Sequence, residues 1–371
     1  MTLLAIVAAV ACLAYANGAN DNFKGVATLF GSGAASFRNA LGWATITTFG
    51  GSIAAVFFAE KLLKAFSGKG LVPESLVAQP SYAAGVALGA GLTVLLATRV
   101  GMPISTTHGI VGALIGAGYA ARESVDLSQL GKNFVMPLLL SPLIALTATL
   151  ILYPIFRFAR RRLGVQEETC FCVGAETREV VIGLGPALAL TRATQLSAEC
   201  GVAVECRRRY AGRVVGVEAA KTLDALHYLS AGAVSFARGL NDTPKIAALL
   251  LLVAWFSASG AVGAVGLVIA LGGLLNARRV AETMSKKITP MNHGQGFTAN
   301  LLTAAIVIGA SLLGMPVSTT HVSCGSIFGI GLLTRQADYG MIGKILASWL
   351  FTLPAGALLG AISFAVIRLA A

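Results

Sequence analysis

Charge is what this sequence has least of. Asp, Glu, Lys and Arg make up 12% of its 371 residues, about half the share of an ordinary globular chain, while 56% of the residues are hydrophobic. A soluble enzyme of this composition would expose too much apolar surface, so the chain is expected in a bilayer. Acid is scarcer than base, 16 residues against 28. The resulting formal charge of +12 does not indicate nucleic acid, because the basic residues fall between hydrophobic stretches, as at Arg157, Arg160, Arg161 and Arg162 and at Arg207, Arg208 and Arg209. No G-x4-G-K-[ST] phosphate loop occurs, which excludes a P-loop nucleotide-driven machine. The four histidines are too few and too scattered for a catalytic metal cluster, and no enzymatic chemistry or cofactor is expected. The first apolar stretch lacks a basic n-region and an Ala-x-Ala cleavage signature, so it reads as a retained membrane segment.

What the chain does contain is an internal repeat. Residues 101–118 read GMPISTTHGIVGALIGAG and residues 314–331 read GMPVSTTHVSCGSIFGIG, identical at 10 of 18 positions. A second pair, GANDNFK at 18–24 and GLNDTPK at 239–245, falls in the same order, at a spacing of 221 rather than 213 residues. The expected domains are therefore a first membrane repeat over 1–160, a connector over 161–222 and a second repeat over 223–371. Each repeat holds five hydrophobic segments long enough to span. An odd number per half inverts the second copy.

Basic residues flank spans on the cytoplasmic side. Placing Arg157 to Arg162 there puts Arg38, Arg99, Arg207 to Arg213, Arg278, Arg279, Lys286 and Lys287 inside as well, with both termini outside. Lys61, Lys64 and Lys69 then lie outside, against the rule. The expected location is the cytoplasmic membrane, crossed many times.

Asp21 and Lys24 sit in the middle of the first hydrophobic segment, and Asp242 and Lys245 in the middle of its counterpart. Charge at that depth is expensive unless it faces a partner or a polar cavity. Gly18 and Gly239 before them, Asn20 and Asn241 beside them, and Pro244 suggest interrupted helices. Broken spans repeated in two halves point to a binding site near the midplane. Structural ion pairs between two bundles are the plainer alternative.

In the other repeated motif, Pro103 and Pro316 end one element. Ser105 or Thr106, and Ser318 or Thr319, are then placed to cap the next. The new helix N-termini present free amides and partial positive charge, with Thr107 and Thr320 adding hydroxyls, an arrangement that favours a small tetrahedral oxyanion. His108 and His321 have three candidate roles: bracing the broken helices, moving a proton, or touching the substrate.

The connector carries Cys170, Cys172, Cys200 and Cys206 and one apolar run at 180–190 too short to span. Its cysteines are expected as reduced thiols, a structural zinc site, or, against the reducing compartment, a disulfide.

Together these motifs resemble the inorganic phosphate transporter (PiT) family, which carries paired Gly-x-Asn-Asp and paired Pro-Val-Ser-Thr-Thr-His segments. The matches are Gly18, Asn20 and Asp21; Gly239, Asn241 and Asp242; Pro103 to His108; and Pro316 to His321. The resemblance implies an all-α polytopic carrier of two inverted repeats with discontinuous helices, importing phosphate with sodium or protons by alternating access, and plausible as a homodimer. It implies that Asn20, Asp21, Asn241 and Asp242 help form the phosphate and cation sites. Ser105, Thr106, Thr107, Ser318, Thr319 and Thr320 would donate to phosphate. The family pattern continues Gly-x-Asn-Asp-x-x-Asn, whereas this chain has Lys24 and Lys245 where the second asparagine is expected. Lysine has no acceptor for sodium. The departure raises the expectation of a sodium-independent, proton-coupled carrier, or of one preferring sulfate.

Overall fold

A computed structural model of the chain describes residues 2–58, 60–66, 71–184, 187–209, 214–251 and 256–370. Lys69 and Arg213, used above to weigh orientation, lie outside the described residues. The chain forms two compact units, one built from Met1–Tyr153 with His227–Ala371 and the other from Pro154–Leu226.

The larger unit is a helical bundle. Its first part contains α1 (Thr2–Asp21), a 3-10 turn at Lys24–Val26, α2 (Ala27–Gly31), α3 (Phe37–Phe58), α4 (Pro80–Arg99), α5 (Thr106–Ala120) and the start of α6 (Met136–Arg162). Its second contains most of α7 (Ala219–Ala247), then α8 (Ala258–Asn276), α9 (His293–Leu313), α10 (Thr319–Thr334) and α11 (Tyr339–Ala370). Local chemistry sets several of these boundaries. Pro80 occupies the first turn of α4, where its missing N–H costs nothing. Asn292 and Gln295 form a reciprocal capping box at the start of α9, satisfying two orphan donors.

Among the described residues, seven helical segments are long and apolar enough to cross a membrane: Leu3–Gly31, Phe37–Phe58, Pro80–Arg99, Leu127–Arg162, Ala258–Asn276, His293–Leu313 and Tyr339–Ala370. The chain is therefore a multi-pass membrane protein. The three other expected spans depart from full-length apolar crossings. Helices α5 and α10 have 15 and 16 residues, short of the roughly 20 that a complete crossing takes. Helix α7 is long enough at 29 residues, but it carries Arg238, Asp242 and Lys245 within its apolar part.

The motif glycines correct the expectation of two broken helices. Gly18 and Gly239 lie inside α1 and α7, where each allows a neighbouring backbone to come close. A Cβ added at Gly18 would stand 2.0 Å from the Ile269 carbonyl oxygen in α8, and one at Gly239 would stand 2.0 Å from that of Thr48 in α3. Helix α1 does end at Asp21, but α7 runs unbroken through Asn241, Asp242 and Pro244 and turns 3-10 only at Ala248–Leu250. Its charges are paired along the helix, Asp242 with Arg238 four residues before and with Lys245 three after, so no interruption is needed to accommodate them. Gly239→Ala is expected to force α3 and α7 apart and to lower stability by about 1–3 kcal/mol, the usual range for overpacking. Thermal unfolding of the purified protein in detergent measures this, and an unchanged midpoint would contradict the packing.

The membrane-spanning unit fits the all-α polytopic assignment, and the smaller unit adds a sheet in the connector. It contains β1 (Thr169–Leu184), β2 (Ala187–Val202), a helical turn at Ala203–Arg209 and β3 (Val214–Glu218), in an antiparallel sheet of order β2-β1-β3. The register runs from Thr169↔Val202 to Leu184↔Ala187, and β3 pairs Glu218 with Cys170. The apolar run at 180–190 is thus shared by the two arms of a hairpin; its residues 185 and 186 lie outside the described set. The signal was present in the sequence, because β-branched Val180, Val181 and Ile182 precede a Gly-Pro pair and a second strand-forming stretch.

Cys172 and Cys206 form a disulfide with a Cα–Cα distance of 6.1 Å, inside the range such a bond accepts. Cys170 is a buried free thiol beside them, and Cys200 is exposed. The sulfurs of Cys170, Cys172 and Cys206 all lie within 4.8 Å of one another, so three of the four expected cysteines are brought together.

Candidate functional site

Both repeated motifs meet in the core of the helical unit. All twelve residues expected to bind substrate are buried, none more than 4% exposed. Helix α1 ends at Asp21, and Lys24 lies one turn beyond, where a cation suits the helix C-terminus. Its ammonium donates to Asn20 Oδ1 at 2.8 Å, to the Ile104 carbonyl at 2.8 Å, to Thr320 Oγ1 at 2.6 Å and to Asp21 Oδ1. Four oxygens thus surround a group with three protons.

Lys245 repeats the arrangement from the other half. It donates to Thr107 Oγ1 at 2.9 Å, to the Val317 carbonyl at 2.8 Å and to Asp242 Oδ1 at 3.4 Å. Each lysine therefore reaches its own half's aspartate and the other half's threonine. Thr106 Oγ1 donates to Asp21 Oδ2 at 3.1 Å, and Asn241 Nδ2 donates to Thr319 Oγ1 at 3.3 Å. Asn20 ties α1 to the segment before α5, accepting from the Ile104 amide at 3.2 Å and donating to Thr98 and the Met102 carbonyl.

Ser105 and Ser318 cap α5 and α10, accepting from the amides of His108 and His321 at 3.2 and 3.3 Å. Of the motif hydroxyls, Thr107 and Thr320 are the ones that meet the lysines. His108 and His321 lie side by side, ring centroids 4.6 Å apart. His321 also stacks on Trp349 at 3.9 Å, and Trp349 Nε1 donates to the Pro103 carbonyl at 3.1 Å. The pair thus joins α5, α10 and α11 behind the motif turns.

Two central residues escaped the sequence reading. Arg238 is wholly buried, and its guanidinium donates to Asn17 Oδ1 at 2.6 Å, to Asn22 Oδ1 at 3.2 Å and to Thr48 Oγ1 at 3.3 Å. Asn17 in turn donates to Asp21 Oδ2 and Thr106 Oγ1, each at 3.0 Å. Arg238 and Asn17 are 221 residues apart, the spacing of the Asn-Asp repeat, so matching positions of the two halves touch each other. An arginine in mid-span, one turn before Asp242, is itself a site signal.

A helical membrane bundle with ionisable side chains and two helix N-termini gathered at its centre has the architecture of a membrane transporter. The sequence pattern of the phosphate transporter family matches residues 17–360, and the chain belongs to that family. It is 29% identical over 404 aligned residues to a Pyrococcus abyssi protein described as a phosphate permease, covering 98% of this chain and 97% of that one. It is 27% identical over 373 residues to a Bacillus subtilis protein described as a low-affinity inorganic phosphate transporter, covering 100% and 98%. Among solved structures it matches one described as the sodium-dependent phosphate transporter, with a TM-score of 0.75 and 22% identity over 99% of each chain. At that identity the match speaks for the fold.

Proposed function

We propose that the chain is a secondary carrier that imports inorganic phosphate across the cytoplasmic membrane by alternating access of two inverted halves. The observation that carries this reading is the reciprocal crossing of Lys24 to Thr320 and Lys245 to Thr107. Each contact ties a charged residue of one half to a helix N-terminus of the other. A tetrahedral anion held between those termini draws both halves together. Asn20, Asp21, Asn241 and Asp242 shape the walls, the threonines donate to the anion, and His108 with His321 brace the turns.

Each lysine ammonium takes the place that a sodium ion would fill. The shell of Lys24 is made wholly of oxygens, a carboxylate, an amide carbonyl, a main-chain carbonyl and a hydroxyl, which is the donor set that a small cation also accepts. A tethered cation makes a dissolved one unnecessary and leaves the proton as the coupling ion. The solved relative is described as sodium-dependent; this chain departs from it at that point.

Uptake of radiolabelled phosphate into proteoliposomes tests the reading. It is expected to saturate, to show counterflow, to persist when choline replaces sodium, and to be competed by unlabelled phosphate but not by sulfate. Uptake that never saturates would point to a channel. Strict dependence on sodium would remove the role given to the lysines, and competition by sulfate equal to that by phosphate would broaden the substrate to oxyanions generally.

A further inference from the structure

The smaller unit has almost no apolar core among its described residues. Within Pro154–Leu226 the buried side chains are Cys170, Cys172 and Cys206, 3%, 0% and 6% exposed, and they form one cluster. Larger apolar side chains of the sheet and its turn lie outward: Phe171, Leu196, Val202, Val204 and Val217 are exposed. A sheet this small is not held by the apolar burial of three thiols, and units of that kind depend on a disulfide or a bound metal.

The strand register builds the cluster. Cys170 and Cys172 stand two residues apart on β1, so both point to one face, and Cys206 reaches them from the helical turn after β2. Glycines flank them on that face, Gly201 of β2 paired with Cys170 and Gly216 of β3 paired with Cys172. The Cys206 sulfur lies over Gly201, 3.8 Å from where a Cβ would stand. The same register takes Cys200 away from the cluster. It pairs with Phe171, whose side chain points to the opposite face, and both are exposed.

Three convergent sulfurs are one more than a disulfide uses. Cys170 is the third, a buried thiol beside the Cys172–Cys206 bond. The basic residues flanking the connector predict that it faces the cytoplasm, where such a bond does not usually persist. A dithiol opens it by taking the bond over as its own disulfide, passing two electrons and two protons to Cys172 and Cys206. Three buried thiols result, and small side-chain rotations bring each sulfur to about 2.3 Å from a single ion.

We propose that the reduced connector binds one thiophilic divalent cation of the zinc type through Cys170, Cys172 and Cys206, so that metal and disulfide are alternative staples of the same sheet. Each thiol gives up its proton to solvent as it ligates. The fourth position of a tetrahedral ion falls to water or to Glu199 or Glu218, the carboxylates paired with Cys172 and Cys170. A low-molecular-weight disulfide reverses the change: Cys172 and Cys206 are oxidised to their bond, the reagent is reduced to two thiols, and the ion leaves.

The test uses the untagged full-length protein in detergent, reduced anaerobically with a dithiol and freed of reagent. Zinc is titrated against a chromophoric chelator, and cadmium is added to a parallel sample, where thiolate ligands give an ultraviolet charge-transfer band. The reduced protein is expected to take one ion per chain, and protein reoxidised with a low-molecular-weight disulfide none. Cys170→Ser retains the Cys172–Cys206 pair, so its oxidised form serves as the folding control; reduced, it should bind zinc at least about 100-fold more weakly. Cys200→Ser should bind within a few fold of wild type. In the wild-type chain, bound zinc should protect Cys170, Cys172 and Cys206, but not Cys200, from maleimide, as read by mass spectrometry.

Reduced protein that holds no zinc, a bond that the dithiol leaves intact, or zinc held equally by oxidised protein would overturn the proposal. So would a loss of affinity in Cys200→Ser as large as that in Cys170→Ser. Should Cys170→Ser fail to fold, the wild-type protection pattern decides: protection of the three cysteines alone supports the site, and any other pattern overturns it.

Discussion

Replacing Asp21 with alanine is expected to reduce phosphate uptake at least about 100-fold, because breaking a buried ion pair costs on the order of 3–5 kcal/mol and each 1.4 kcal/mol is tenfold. Asp21 is the residue on which both motifs of the first half converge: Lys24 bonds one carboxylate oxygen, and Asn17 and Thr106 bond the other. Its loss leaves an ammonium, itself 0% exposed, among neutral oxygens. Asp21→Asn keeps the shape and most of the hydrogen-bond geometry, so it separates charge from packing. It should still insert and fold, with an unfolding midpoint lowered by the lost ion pair, and should lose uptake per unit of folded protein. Asp242→Asn should behave in the same way, through the loss of the partner of Arg238 and Lys245. The assay is uptake per unit of folded, reconstituted protein; wild-type rates in either asparagine variant would reject the site.

Lys24→Asn should change the dependence on sodium. The substitution installs the residue that the family pattern places there and empties the centre of a shell formed by Asn20, Asp21, Ile104 and Thr320. A freed carboxylate among convergent oxygens then calls for a cation from solution. Uptake in choline is expected to fall at least about tenfold, with sodium restoring most of it; the factor corresponds to about 1.4 kcal/mol, a modest fraction of what an unpaired buried charge costs. Lys245→Asn should act likewise, less strongly, since Lys245 meets three oxygens rather than four and its contact with Asp242 is the longer one. Uptake by Lys24→Asn that is low in choline and equally low in sodium would mean that the lysine does not stand in for an ion.

Much of the site could be read directly from the chain because the chemistry is local. A charged pair three residues apart in an apolar run, and a Pro-x-Ser-Thr-Thr-His segment that caps a helix, announce themselves through covalent neighbours alone. Ser105 and Ser318 cap where the motif places them. Other features depended on partners that no local pattern reveals. Gly239 resembles a helix breaker in sequence, but its neighbour is the Thr48 carbonyl of a distant helix. Pro244 also looks like a boundary, yet α7 continues through it, since paired charges on one face remove the need to open the backbone. In the connector, the four cysteines carry no information on pairing until the hairpin sets their register. The strands themselves were signalled by β-branched residues followed by a Gly-Pro pair in the sequence.

The sequence by itself determined that this protein lives in a membrane, that its two halves repeat, and that two Asn-Asp and two Ser-Thr-Thr segments hold its polar chemistry. These follow from composition and from motifs a few residues long, where hydrophobicity, capping and helix spacing act along the chain. Tertiary structure alone decided that Lys24 crosses to Thr320 and Lys245 to Thr107, and that Asn17 meets Arg238. Those outcomes depend on which helices touch. Contacts between residues 138 to 296 positions apart are set by the packing of the whole bundle, in which small residues let backbones approach and buried charges reach their partners.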